Sequence, residues 1–427
     1  MISKLKKSQF IKSVVIMATG TIGAQVITMA MSPIITRLFG PEAFGLMGAF
    51  NSFVNILIPL VALTYPVAIV LPKNNIEAIG LIRLSLFIVT ITTCLSIIAI
   101  YLFNNKIIHI FKLEEIAQYV YLIPLVILLS GIVQILENWL IRNQQYKLNA
   151  KTTFYQALIL NSGKVGVGLL YPFAGVLILF SSITSGIKIF LIFLQVNKRE
   201  LLNILKPKFN FSSLKDLAKK YYDFPLYRAP ETFLSTVSQS LPVILLTAFF
   251  GAASAGFYTI GRTVLFMPSL LIGKAIEDVF YPKIAKMNND GKKLTKVILQ
   301  ATLGLLIIGI IPFGLIIVWG PAIFGFVFGS DWAMAGEYAK WVALWTFSSF
   351  IVRPSVRSLA VLNAQRFHLI FTFIMTITRL FLIYFGFSVY ANDLIAIALF
   401  GVSGAVFNII LIIITINISS KRNVIKI

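Results

Sequence analysis

Basic side chains interrupt long apolar runs at Lys164, Lys188, Arg262, Lys274 and Arg379. A charge at the middle of a bilayer costs about 2.5–3.5 kcal/mol on an insertion scale, so each such residue needs a partner or a task. In a low-dielectric site the task open to cations is to hold an anion. Arginine offers two parallel N–H donors for it and lysine a point charge. Lys274 lies three residues before Glu277 and four before Asp278, the helical spacing at which it neutralises one of them, and this reads as structural. Lys164, Arg262, Arg379 and Lys188 remain as candidates for a cationic binding cavity. The alternatives are that Lys188 snorkels its ammonium to headgroups and that Lys164 pairs with a partner the sequence does not reveal. Glu137 and Glu231, at the edges of their runs, are the candidate ion-coupling carboxylates.

Other chemistries find little support. Ser162-Gly163-Lys164 resembles the end of a phosphate-binding loop, but the glycine required upstream is missing and the segment is apolar, so nucleotide hydrolysis is not expected. His109 and His368 have no Cys, His or carboxylate at metal-ligand spacing, and the single Cys94 cannot form an internal disulfide. No cofactor is expected.

The elements that must position these charges follow from composition. Hydrophobic residues make up 58% and charged residues 12% of 427 positions, against roughly a quarter charged in soluble domains. Twelve stretches reach the ~20 apolar residues that cross a hydrocarbon core: 10–36, 44–71, 81–103, 117–137, 152–171, 174–196, 227–250, 255–281, 294–319, 338–361, 367–387 and 394–418. Period-two alternation is absent, which argues against an outer-membrane barrel. The first stretch follows Lys4, Lys6, Lys7 and Lys12 but is longer than a signal core and lacks a cleavage pattern, so it is expected to be retained.

Proline and glycine landmarks recur about 210 residues apart: Pro33 with Pro242, Pro59 with Pro268, Gly40 with Gly251, Gly45 with Gly256, and Leu71-Pro72-Lys73 with Tyr281-Pro282-Lys283. These residues mark kinks and close backbone approaches, so their recurrence points to one six-helix unit used twice, the usual build of a transporter. The expected division is an N-terminal lobe at 1–196, a cytoplasmic linker at 197–226 and a C-terminal lobe at 227–427.

The net charge of +22 is explained by its placement. The N-terminus and every second loop carry most of the Lys and Arg, whereas the intervening loops carry Arg37, Lys106 and Lys112. This satisfies the positive-inside rule, puts both termini in the cytoplasm, and makes anionic membrane lipids rather than nucleic acid the partner of the basic excess. Within the linker, Ser213 to Tyr222 reads as a short amphipathic helix with Leu214, Leu217 and Tyr221 on one face, Lys215, Lys219 and Lys220 on the other, and Ser213 and Asp216 at capping-box spacing. It is expected to lie in the interface; a solvated tether is the alternative.

The stretch from Tyr221-Tyr222-Asp223-Phe224-Pro225-Leu226-Tyr227-Arg228-Ala229-Pro230 through Leu241-Pro242, Phe249-Phe250-Gly251, Gly256-Phe257-Tyr258, Arg262, Pro268 and Leu271-Ile272-Gly273 to Phe280-Tyr281-Pro282 closely resembles the polysaccharide exporters and O-antigen repeat-unit flippases. These belong to the multidrug/oligosaccharidyl-lipid/polysaccharide exporter superfamily. Gly20, Gln25, Pro33, Arg37, Gly40 and Gly45 extend the resemblance to the N-terminal span, and the turn Asn143-Gln144-Gln145-Tyr146-Lys147 recurs at Asn363-Ala364-Gln365-Arg366. Lys274, Glu277 and Asp278 depart from it, since such sequences often carry small or neutral residues there.

The resemblance implies an all-α integral membrane protein with about twelve helices in two six-helix lobes, a MATE-like V. It further implies that the protein moves an undecaprenyl-diphosphate-linked oligosaccharide (O-antigen, capsule or a related repeat unit) from the inner to the outer leaflet of the bacterial inner membrane by alternating access. Other polysaccharide-assembly membrane proteins are implied partners. A multidrug cation or ion antiporter shares the architecture, but a cation should be met by intramembrane acids, and bases dominate here. A polytopic enzyme of polysaccharide assembly would need catalytic carboxylates or a sizeable outer loop, and the outer loops are short and apolar.

Overall fold

A computed structural model describes residues 2–111, 114–196, 211–290, 293–362 and 364–425. Among them there are helices and turns and no strands. The first compact unit, Met1–Ile244, contains α1 (Ile2–Leu38), α2 (Pro41–Val61), α3 (Tyr65–Ala68), α4 (Asn75–Phe111), α5 (Ala117–Val120), α6 (Ile123–Arg142), α7 (Tyr146–Gly168), α8 (Ala174–Ser182), α9 (Thr184–Gln195) and the linker helix α10 (Phe211–Lys220). The helix α11 (Ala229–Phe250) carries the division between the units. The second unit, Leu245–Ile427, holds α12 (Ala252–Asn289), α13 (Thr295–Phe328), α14 (Ala333–Ile351), α15 (Arg353–Val361), α16 (Gln365–Tyr390) and α17 (Asp393–Ile425).

The twelve stretches expected to cross a membrane all fall on these helices, some with a short break such as Ala62 to Thr64. Among the described residues eight helices are long and apolar enough to span: Pro41–Val61, Asn75–Lys106, Ile123–Arg142, Ala174–Gln195, Phe224–Phe250, Thr295–Phe328, Gln365–Tyr390 and Asp393–Lys421. Their outward faces carry large apolar side chains, for example Leu95, Ile98 and Tyr101 on α4, Ile307 and Ile311 on α13, and Phe373, Ile377 and Phe381 on α16, as a lipid-facing surface requires. Two of the remaining helices are more polar because they are packed by neighbours. Helix α7, with Lys147, Lys151, Gln156, Asn161 and Lys164, pairs along its length with α1, and α14 packs against α12, α13 and α17.

Small residues permit the closest of these pairings, as in helix association within lipid. A Cβ on Gly20 of α1 would stand 2.6 Å from the Ala150 Cα of α7, and Asn161 donates to the Thr28 hydroxyl across the same pair at 3.2 Å. The recurring landmarks reappear as geometry. Gly40 separates α1 from α2, and Gly251, at φ +92°, separates α11 from α12; Pro33 and Pro242 lie inside α1 and α11. Helix α13 breaks at Trp319 (φ −113°, ψ 18°), two residues before Pro321, because the proline ring clashes with the preceding turn and removes a donor.

The linker helix is described over Phe211–Lys220, so Ser213 lies inside the helix rather than at its cap. It lies on unit 1. Leu214 is buried, Leu217 reaches Gly80 on α4, and the Tyr65 hydroxyl donates to the Ala218 carbonyl at 3.2 Å. The chain then enters α11 through a π turn at Phe224–Arg228, where Pro225 cannot supply the regular helical hydrogen bond. The Thr64 hydroxyl holds this turn by donating to the Phe224 carbonyl at 3.1 Å. Residues 197–210 of the linker, with Lys198, Arg199, Glu200, Lys206 and Lys208, lie outside the described residues, as do the side chains of Lys274, Glu277 and Asp278.

Candidate functional site

Of the candidate residues in the N-terminal spans, Lys188 and Glu137 form a satisfied pair and Lys164 is a solitary cation. Lys188 of α9 is buried at 6% exposure. Its ammonium forms an ion pair with the Glu137 carboxylate of α6 and donates to the Thr153 hydroxyl of α7 at 3.1 Å. Three helices thus meet on one lysine, and neither snorkelling nor a free cation describes it. Leu136, Leu140 and Ile192 close an apolar cluster on the same helices. Sequence reading placed Lys188 and Glu137 separately. The signal that could have joined them is depth, because Glu137 lies five residues from the end of α6 and Lys188 seven from the end of α9, about 8 and 10 Å at the helical rise.

Lys164 of α7 is half-buried and, among the described residues, makes neither a hydrogen bond nor an ion pair. It stands four residues before the end of α7 at Gly168, about 6 Å along the axis. Arg379 occupies the middle of α16, eleven residues before Tyr390. The fifth and eleventh expected spans therefore each carry a cation, but at different depths.

Arg379 is sealed inside unit 2 at 3% exposure. Its Cζ lies 4.0 Å from the Trp345 ring centroid and 3.7 Å from that of Phe400. The two rings, 5.5 Å apart and inclined at 70°, form a corner around the guanidinium, and each ring face stabilises the cation. Nε donates to the Phe400 carbonyl at 3.3 Å. Gly404 leaves the room, since a Cβ there would meet Trp345 Cδ1 at 2.6 Å and Arg379 Nε at 2.9 Å. Arg262 of α12 is partly buried and, with Tyr258 one turn earlier, lies within electrostatic reach of Arg379. The aromatic corner was not foreseen, because Trp345 and Phe400 look like ordinary apolar residues of their runs.

Glu231 is exposed in the first turn of α11, directly after the π turn. His109 stands 3.9 Å from Glu114 at the surface, and among the described residues no cluster of His, Cys, Asp and Glu assembles that could hold a metal ion. At the linker, the Glu77 carboxylate of α4 accepts from the Lys220 ammonium and from the Tyr221 hydroxyl. The bond to Glu77 holds the Lys220 ammonium above the usual lysine range, and burial followed by the same carboxylate raises the Tyr221 phenol. Nearby, the Arg142 guanidinium staples the chain after α3 by donating to the carbonyls of Ile69, Pro72 and Asn74.

This fold, with its intramembrane cations, is that of a multi-pass membrane protein of the MATE type. The chain superposes on an inward-facing multidrug resistance MATE family transporter of the MOP superfamily with a TM-score of 0.74 at 13% identity, covering 93% of this chain and 95% of that one. It superposes on the lipid II flippase MurJ in an inward closed conformation with a TM-score of 0.73 at 15% identity, covering 96% and 90%. The chain belongs to the polysaccharide biosynthesis protein family, whose model matches residues 34–337. It is similar to the succinoglycan biosynthesis transport protein ExoT of Rhizobium meliloti (strain 1021), 22% identical over 339 residues. That match takes in 77% of this chain and 64% of ExoT, so the chain spans less than two thirds of the length of the curated relative it matches.

Proposed function

We propose that the protein is a flippase of the bacterial inner membrane. It carries an undecaprenyl-diphosphate-linked oligosaccharide from the inner to the outer leaflet by alternating access, with both termini cytoplasmic. The observation that carries this reading is the state of the candidate charges in the N-terminal spans: Glu137 is neutralised by Lys188, and Lys164 is left as a cation with no partner among the described residues. An unpaired ammonium at that depth suits a diphosphate, whose charge it offsets in a medium where pairing is far stronger than in water. A cation exporter would need the reverse polarity. Membership in a polysaccharide biosynthesis family, a relative described as a succinoglycan transport protein and the shared fold with a lipid II flippase support the same reading. Arg262 is the second candidate for the substrate path. Arg379 reaches a substrate only in a conformation that uncovers it.

The test is export of surface polysaccharide in a host whose only copy carries Lys164→Ala, with membrane abundance measured in parallel. Loss of one charge-assisted contact, about 1.5–3 kcal/mol, corresponds to roughly ten- to a hundredfold weaker binding, and Lys164→Arg should retain most of the export. Normal export by Lys164→Ala at normal abundance removes this residue from the mechanism.

A further inference from the structure

We propose that unit 2 contains a small-anion site at the guanidinium of Arg379, and that its ligand is a monovalent inorganic anion such as chloride. Two buried donors define it. Arg379 Nη2 has no hydrogen-bond partner among the described residues, and neither has the hydroxyl of Tyr258, a residue with 0% exposure. The two groups lie within electrostatic reach of each other and of Arg262, and both contact the same ring, Phe400: the guanidinium carbon at 3.7 Å and the Tyr258 ring at 6.2 Å between centroids. Buried donors are almost always satisfied, and an orphaned one on a charged group needs an acceptor most.

The surroundings select the class of ligand. Trp345 and Phe400 close a corner around the guanidinium, the Phe400 carbonyl takes Nε, and Gly404 lets the helix of Phe400 approach to contact distance. At 3% exposure there is no path for a diphosphate carrying a sugar. Among the described residues no carboxylate pairs with Arg379; the acidic residue at the start of α17, Asp393, instead accepts from the Ser254 hydroxyl at 2.5 Å. A water molecule would accept from both donors but leave the positive charge uncompensated, whereas a halide does both. This reading is independent of what the protein transports.

The experiment uses the full chain purified in detergent, with thermal unfolding followed in sodium chloride and in sodium gluconate at equal ionic strength. Chloride is expected to raise Tm saturably, since a ligand that binds only the folded state stabilises it by mass action. Tyr258→Phe keeps the ring and removes the hydroxyl; it should raise the half-saturating concentration by roughly ten- to a hundredfold, the effect of one lost hydrogen bond to an ion. Crystals grown in bromide should show an anomalous peak within hydrogen-bond distance of Nη2. Arg379→Gln should abolish the chloride effect, and should that variant fail to fold, Tyr258→Phe and the bromide peak decide the matter. Equal Tm in both salts, a chloride effect unchanged in Tyr258→Phe, or the absence of bromide at Nη2 each overturns the proposal, leaving water as the partner of the two donors.

Discussion

The Lys188 ammonium and the Glu137 carboxylate meet as an ion pair inside unit 1, on helices α9 and α6, with the Thr153 hydroxyl of α7 as third member. Removing one partner of a fully buried pair costs about 3–5 kcal/mol, whereas replacing both is often close to neutral. The Glu137 side chain is 32% exposed against 8% for Lys188. The expected order is therefore asymmetric: Glu137→Gln, which strands a buried ammonium, lowers the Tm of the detergent-solubilised protein more than Lys188→Met, and the double variant recovers most of the loss. Additive losses in the double variant would show that the two groups do not stabilise each other. If the double variant regains stability and still fails to export, the pair serves transport as well as packing.

That pair marks where sequence reading stopped. The landmarks Gly40 and Gly251 were legible because a glycine between two long apolar runs has a geometric consequence of its own: both end one helix and begin the next. The linker's apolar face was legible because Leu214, Leu217 and Tyr221 recur at helical spacing. A lone lysine in an apolar run carries no such consequence. Lys164 and Lys188 look alike in sequence, and only the arrangement of α6, α7 and α9 separates the paired one from the solitary one. Arg379 shows the same limit, since its aromatic corner draws on Trp345 of α14 and Phe400 of α17, residues whose distance in the chain hides their contact.

Glycine substitutions should divide sharply along α7 and its partner α1. Gly20→Ala puts a methyl 2.6 Å from a backbone carbon of Ala150, so the two helices must separate along their shared seam. Overpacking of this kind costs about 1–3 kcal/mol. Gly166→Ala meets nothing within 4 Å and gains up to about 1 kcal/mol of helix propensity. Tm measurements on the two variants check this, and equal values would mean that the α1 and α7 seam is not tightly closed in the membrane protein.

Orientation follows from the basic excess on alternate loops. A reporter that works only in the cytoplasm should be active when fused after Lys293, which precedes α13, and silent when fused at Gly329, which follows it. Activity at both positions would refute a single crossing by α13, and activity at Gly329 alone would reverse the proposed topology.

The clasp between α10 and α4 sets the last expectation. Glu77 accepts from Lys220 and from Tyr221, so the end of the linker helix is tied to the start of α4 by a carboxylate with two donors. The Lys220 ammonium is raised above the usual lysine range by its bond to Glu77. A group with a raised folded-state value contributes fully below its unfolded value and loses that contribution as pH climbs through the folded one. Tyr221, also raised, changes in the same direction. The clasp is therefore expected to be intact at neutral pH and to loosen only in strong alkali. A spin label on Lys215→Cys, placed on the exposed face of α10 in a Cys94→Ser background, should be restrained at pH 7. It should become more mobile as pH rises past the ordinary lysine value of about 10.4. Glu77→Gln should give that mobility already at pH 7, and Leu214→Ser, which removes a buried anchor of the same helix, should add to it. A label equally restrained in Glu77→Gln would show that apolar packing against Gly80 and the Tyr65 bond to Ala218 hold the linker without the clasp.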